Sequence, residues 1–123
     1  MKERNVNILT IEQLVARFVD IALAQDNAML HDQTAKFNRL YGEMDRVDNE
    51  LRARGTEARL ALVALYDHPN PQVRLKAAVR TLGVAPAEAR RVLEAIEASG
   101  ELPQALDAGM SLWNLDRGVF KPT

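Results

Sequence analysis

The sequence predicts an all-α domain of about six helices, arranged as stacked helical hairpins in an αα-superhelix. Three observations predict it. Apolar residues recur at steps of three and four along nearly the whole chain, the spacing of a buried helix stripe. Prolines and glycines punctuate that pattern where helices would start and stop. No stretch alternates apolar and polar residues over a convincing length, so no sheet is expected.

Residues 10–55 read as a long helical hairpin. Thr10 and Gln13 have the spacing of a capping box. Behind them Ile11, Leu14, Val15, Phe18, Ile21 and Ala22 form an amphipathic stripe. A second helix is expected from near Asp32, with a narrow seam of Phe37, Leu40, Met44, Val47 and Leu51. Lys36, Arg39, Glu43, Arg46 and Glu50 lie outside that seam. The seam can pair within the chain or with a second copy, which leaves a homodimer open. Gly42 costs about 1 kcal/mol relative to Ala inside a helix and implies a close neighbour. Gly55 sits where a C-terminal cap belongs.

Residues 57–83 read as a helix pair. Glu57 to Tyr66 would carry Leu60, Val63 and Ala64 on its apolar side, until Asp67-His68-Pro69 stops it. Asn70 suits the N-cap and Pro71 the first helical position. Val73, Leu75, Ala77, Ala78 and Leu82 follow, and Gly83 closes the helix. Residues 86–118 read as a second pair and C-terminal cap. Pro86 opens a helix with Ala89, Val92, Leu93 and Ile96, capped by Gly100. Pro103 opens the last, with Leu106, Met110 and Trp113 as its stripe and Gly118 at its end. Pro71 and Pro103 are 32 residues apart. Each precedes a pair of small residues, Ala77-Ala78 and Ala108-Gly109, that would let a neighbouring helix approach closely. A helical hairpin repeated at this period is the signature of a solenoid.

The stretch DHPNPQVRLKAAVRTL, with its Pro turn, Val-Arg and paired Ala, resembles the second half of a HEAT repeat. The resemblance is good over 57–83 and weaker over 86–117, where Leu106 and Asp107 replace the Val-Arg. Over 10–55 the helices are too long for the repeat. The whole chain resembles a HEAT/armadillo-like bacterial family of unknown function. Its capping-box start, central DHPNPQVRLKAA and closing DAGMSLWNLDRGVFKPT carry that resemblance. The resemblance implies a short HEAT-like helical-hairpin stack, an armadillo-type fold and a bacterial source. It brings no activity and no catalytic residues.

Composition bounds the function. The 123 residues suit a single helical domain over 1–123, with 47% hydrophobic and 27% charged residues. Lys and Arg number 16 against 17 Asp and Glu, a net charge of −1. That balance opposes a nucleic-acid partner, which would call for a basic excess. The lack of cysteine excludes a disulfide scaffold and a thiolate zinc site, and fits a cytoplasmic location. No apolar run is long enough for a membrane span. MKERNVNIL lacks the apolar core of a signal peptide.

Candidate chemistry is sparse. His31 and His68 have no HExxH or paired spacing, so no metal is expected. Asp67 beside His68 reads as a local hydrogen-bonding turn rather than a proton-transfer pair. No nucleophile elbow, phosphate loop or dinucleotide fingerprint occurs, so neither a cofactor nor an enzyme is expected. Glu43, Asp45, Asp48 and Glu50 read as a solvated face with ion pairs to nearby arginines. Arg52, Arg54, Arg59, Arg74, Lys76 and Arg80, extended by Arg90 and Arg91, form a candidate basic ridge.

The C-terminal segment admits two readings. In one, Trp113 fills the last hairpin and Phe120 pins the tail, the ordinary role of a lone Trp in a small helical domain. In the other, Trp113, Asn114, Asp116, Arg117 and Phe120 present a protein-binding patch, with Arg74 a further candidate contact. The function expected is a non-enzymatic protein-binding module whose partner is another protein. A toxin-neutralising immunity or inhibitor protein is one form, and a scaffold another. The alternative is a nucleic-acid or small-ligand sensor that uses the basic ridge.

Overall fold

The computed structural model describes residues 5–123, which hold six α-helices and no strand. Residues 1–4, the start of the stretch read as lacking an export signal, lie outside the described residues. The helices are α1 (Ile11–Leu30), α2 (Thr34–Ala53), α3 (Thr56–Leu60), α4 (Pro71–Thr81), α5 (Pro86–Ser99) and α6 (Gln104–Asp116). The chain divides into two units, Met1–Ala61 and Leu62–Thr123.

In the first unit the capping box forms as read. The Gln13 N–H donates to Thr10 Oγ1 at 3.1 Å, and the Thr10 N–H to Gln13 Oε1 at 2.9 Å. Leu14, Phe18, Ile21 and Ala22 are buried, and the stripe continues through Gln25 and Ala28. Asp32, at φ 59°, turns the chain, so α2 begins two residues later than the seam implied. Leu40, Met44, Val47 and Leu51 are buried and Phe37 half-buried. α1 and α2 pack along one another, so the seam pairs within the chain. Each such Leu or Phe contributes about 1.5–3 kcal/mol by leaving water. The close neighbour expected at Gly42 is absent, since a β-carbon there would meet open space. Arg54 ties the N-terminal segment to α2. Its Nε donates to Glu50 at 2.8 Å, while Nη2 donates to the carbonyls of Val6 and Asn7 at 3.4 and 3.3 Å. Gly55 reaches φ 105°, a conformation that glycine adopts without strain, and α3 starts immediately after.

The helix expected over 57–66 is two elements. α3 ends at Leu60, and Ala61–Asp67 winds as a 3-10 helix. Three residues per turn rotate the inward face away from the 3.6-residue stripe. Leu62 and Leu65 are therefore buried, while Ala64 and Leu60, both read as inward, are exposed and Val63 is half-buried. The start of α4 matches the reading. Asn70 Oδ1 accepts from the N–H groups of Gln72 and Val73 at 2.8 and 3.3 Å, and Pro71 takes the first position. Ahead of it, His68 Nδ1 accepts from the Asn70 N–H at 3.0 Å.

α4, α5 and α6 share one apolar core. Leu75, Ala78 and Leu82 meet Ala89, Leu93 and Ile96 and then Ala108 and Leu112, with Tyr66, Val79, Val92 and Leu115 around them. The small residues act as read. Ala77, Ala78, Ala89 and Ala108 are wholly buried. A β-carbon on Gly109 would lie 2.6 Å from Glu97 Oε2 of α5. Gly83 also serves close approach, because a β-carbon there would collide with the backbone of Thr123. The Thr81 hydroxyl donates to the Ala77 carbonyl at 2.7 Å, so the Tyr66 hydroxyl is the donor in its own short bond to Thr81.

α6 corrects the sequence reading. Leu106, Met110 and Trp113, read as its inner stripe, are 64%, 55% and 52% exposed. The buried side chains are Gln104, Ala105, Ala108 and Leu112. The helix carries apolar residues on two sides, and the side with the smaller residues faces α5 and α4. At its start Gln104 Nε2 donates to Gln72 Oε1 at 2.9 Å, both side chains being buried. Each of these glutamines directly follows one of the prolines set 32 residues apart.

Removing one amide leaves its partner buried without this bond, so Gln72→Leu and Gln104→Leu should each cost about 1–3 kcal/mol. The double variant should cost less than the sum, with a coupling of about 1 kcal/mol in a urea-denaturation cycle. Strict additivity would show that the pair does not act as a unit.

Candidate functional site

The outer face of α6 gathers the candidate site. Leu106, Met110, Trp113 and Arg117 follow one another at steps of four, three and four and so share one side of the helix. The Arg117 guanidinium carbon lies 4.3 Å from the centre of the Trp113 ring, a cation–π contact. The end of the helix holds both in place. The Arg117 N–H donates to the Trp113 carbonyl at 3.1 Å, and Gly118 turns into the left-handed region at φ 72°. The Asn114 carbonyl then accepts from the N–H groups of Val119 and Phe120 at 3.0 and 3.2 Å. Val119 is exposed and Phe120 about two-thirds covered.

This arrangement overturns the reading of Trp113 as the filling of the last hairpin, since Leu112 and Ala108 occupy that place. Of the residues read as a patch, Trp113 and Arg117 stand together. Asn114 is half-buried and its main chain holds the tail. Asp116 turns to α5, where Arg90 Nη1 and Nη2 donate to its two oxygens at 2.8 and 3.0 Å. That fork holds the Asp116 carboxyl below its ordinary value and raises Arg90. Arg74 stands apart on α4, 4.0 Å from Glu101 Oε1. Leu106 and Met110 belong to the exposed face but were read as core. The signal that distinguishes them is the second stripe, Ala105, Ala108 and Leu112, at steps of three and four.

The other candidates resolve into local structure. His31 Nδ1 donates to the Asn27 carbonyl at 2.8 Å, closing α1. Asp48 is not on a solvated face. It is 3% exposed, and Arg52 Nε donates to its Oδ2 at 3.1 Å. Arg59 is 7% exposed, and burial lowers its pKa, helped by Arg52 and opposed by Asp48. Much of the basic ridge is thus engaged: Arg52 with Asp48, Arg54 with Glu50, and Arg90 with Glu94 and Asp116. Among the described residues, no three His, Asp or Glu side chains are grouped to hold a metal. None of the described helices is long and apolar enough to cross a membrane.

A sequence profile described as a domain of unknown function, DUF2019, matches residues 12–116. The chain is also similar to a protein of known crystal structure, RPA1889 from Rhodopseudomonas palustris CGA009. The two are 48% identical with a TM-score of 0.94, over 98% of this chain and all of that one. No curated protein matches the chain. The family is one of unknown function, and its description carries no HEAT or armadillo label.

Trp113, the single Trp, reports on this face directly. Its fluorescence should be quenched readily by acrylamide in the native state. Trp113→Ala should cost about 1 kcal/mol or less, against about 3–5 kcal/mol for a Trp enclosed in a core. A shielded emission with a core-sized cost would return Trp113 to the interior. Asp116 offers a second check. Its folded pKa is depressed, so its contribution is present above the ordinary carboxylate value and is lost as pH falls through the lower folded value. The carboxyl midpoint by NMR should rise in Arg90→Gln, and an unchanged midpoint would contradict the fork.

Proposed function

The chain belongs to the family described as a domain of unknown function, DUF2019, and from its geometry we propose that it is a non-enzymatic protein-binding module. It works as a short HEAT-like stack whose outer α6 face grips the partner. The single observation that carries this reading is the exposed row of Leu106, Met110 and Trp113 with Arg117 laid over the indole. Contiguous large apolar side chains on a surface mark sites of association. Trp and Arg at their centre are the residue types that most often dominate binding energy. Arg117 forms no ion pair among the described residues, which leaves its N–H donors for an incoming acceptor. The partner surface that fits is an apolar ridge carrying a carboxylate opposite Arg117. A toxin neutralised by this protein would be one such partner.

Photo-crosslinking from position 110 in the native host identifies the partner, and its Kd is then measured with purified proteins. Trp113→Ala should weaken that complex by about ten- to a hundred-fold. Leu30→Ala, at an exposed site on α1, should leave it unchanged. Undiminished affinity in Trp113→Ala removes this reading. Binding to nucleic acid that falls steeply with salt would install the basic-ridge sensor in its place.

A further inference from the structure

A second site lies within the Leu62–Thr123 unit, away from the row on α6. A cavity of about 390 Å³ opens between the 3-10 helix Ala61–Asp67, α4 and α5. The 3-10 helix supplies Tyr66 and Asp67, α4 supplies Arg74, and α5 supplies Glu88, Arg91 and Val92. This volume falls in the range of small-molecule pockets.

Among the described residues, neither guanidinium in this cavity has an acceptor within hydrogen-bond distance. Arg74 Nε is enclosed and has no hydrogen-bond partner. The ion pair of Arg74 is the contact to Glu101 at 4.0 Å, the outer limit of such a pair. Arg91 is exposed and forms no ion pair among the described residues. Asp67 and Glu88 line the same cavity, yet neither lies within ion-pair distance of Arg74 or Arg91. That nitrogen is closed off even to water, so the outer nitrogens of the partly exposed Arg74 side chain, with those of the exposed Arg91, are what an incoming oxygen anion can meet. The Tyr66 hydroxyl is already engaged with Thr81, so its ring serves as apolar wall together with Val92.

We propose that this cavity binds a monocarboxylate attached to an apolar body, the carboxylate meeting Arg74 and Arg91 and the body lying against Tyr66 and Val92. A planar carboxylate matches the guanidinium fork, which delivers two parallel N–H bonds. The lining carboxylates of Asp67 and Glu88 set the specificity, because they repel a phosphate of charge near −2 more than a singly charged carboxylate. The group can arrive on a free small molecule or on an acidic side chain of a protein, and the two arms of the test separate these sources.

The test is an NMR titration of the isotopically labelled full chain. The probes are 3-phenylpropionate, its neutral amide, inorganic phosphate and the capped tripeptide acetyl-Leu-Glu-Leu-amide. Saturable shifts around Arg74 and Val92 are expected with 3-phenylpropionate and not with the amide or phosphate. Tighter binding of the tripeptide assigns the site to a protein side chain, and tighter binding of 3-phenylpropionate to a free ligand. Arg74→Gln should weaken either probe by about ten-fold or more. Arg74→Lys, which keeps the charge and loses the fork, should fall between. Arg91→Gln, at an exposed position with no fold to disturb, should weaken binding as well. No saturable shift with either carboxylate, equal binding of the amide, or unchanged affinity in both Gln variants overturns the proposal.

Discussion

α6 has more apolar surface than it can bury, and the packing in the Leu62–Thr123 unit depends on which side goes in. The choice falls to size. Ala105, Ala108 and Gly109 give α6 a low surface, and Ala108 is wholly buried with Ala78 and Ala89 in the core shared with α4 and α5. In a core packed that closely dispersion contacts are dense and cavities few, which is where apolar side chains contribute most to stability. A row of Leu, Met and Trp would hold the helices apart and leave Ala78 and Ala89 facing voids. The larger residues are left outside as a consequence of this packing, and the proposed partner surface is that remainder.

The buried glutamines give the same packing its register. Apolar contact is tolerant of sliding, whereas an amide pair at 2.9 Å is met at one position only. Gln72 and Gln104 each sit in the first turn of a helix directly after a proline, Pro71 being the first residue of α4 and Pro103 the N-cap of α6. The Pro turn fixes where each helix starts, the amide pair matches the two starts, and the small residues then fall at the level where the helices come closest.

How much of this was legible follows from how local each feature is. The Thr10–Gln13 box, the Asn70 cap before Pro71 and the Gly100 cap are decided within a few residues, and the structure matches the reading at each. The Leu40–Met44–Val47–Leu51 seam was equally legible, because α2 has a single apolar side. α6 was not, because it has two, and periodicity cannot rank them without knowing what they face. The same blindness hid Asp48 and the glutamines: polar residues read as surface until a partner from another element is in place. Ala61–Asp67 misled through its winding, since a stripe counted at 3.6 residues per turn assigns the wrong faces at three. Of the site residues, Trp113 and Arg117 were found by type. The cavity residues were not found together, being drawn from three elements between positions 63 and 95.

The absence of native cysteine allows the orientation of α6 to be read one position at a time. Single-cysteine variants Leu106→Cys, Met110→Cys, Ala105→Cys and Ala108→Cys are labelled with a maleimide under native conditions, with urea-unfolded protein as reference. Positions 106 and 110 should react at close to the unfolded rate, while 105 and 108 should be protected by the global stability of the unit. Protection at 106 and 110 with free reaction at 105 and 108 would put the large side chains inside and contradict the account.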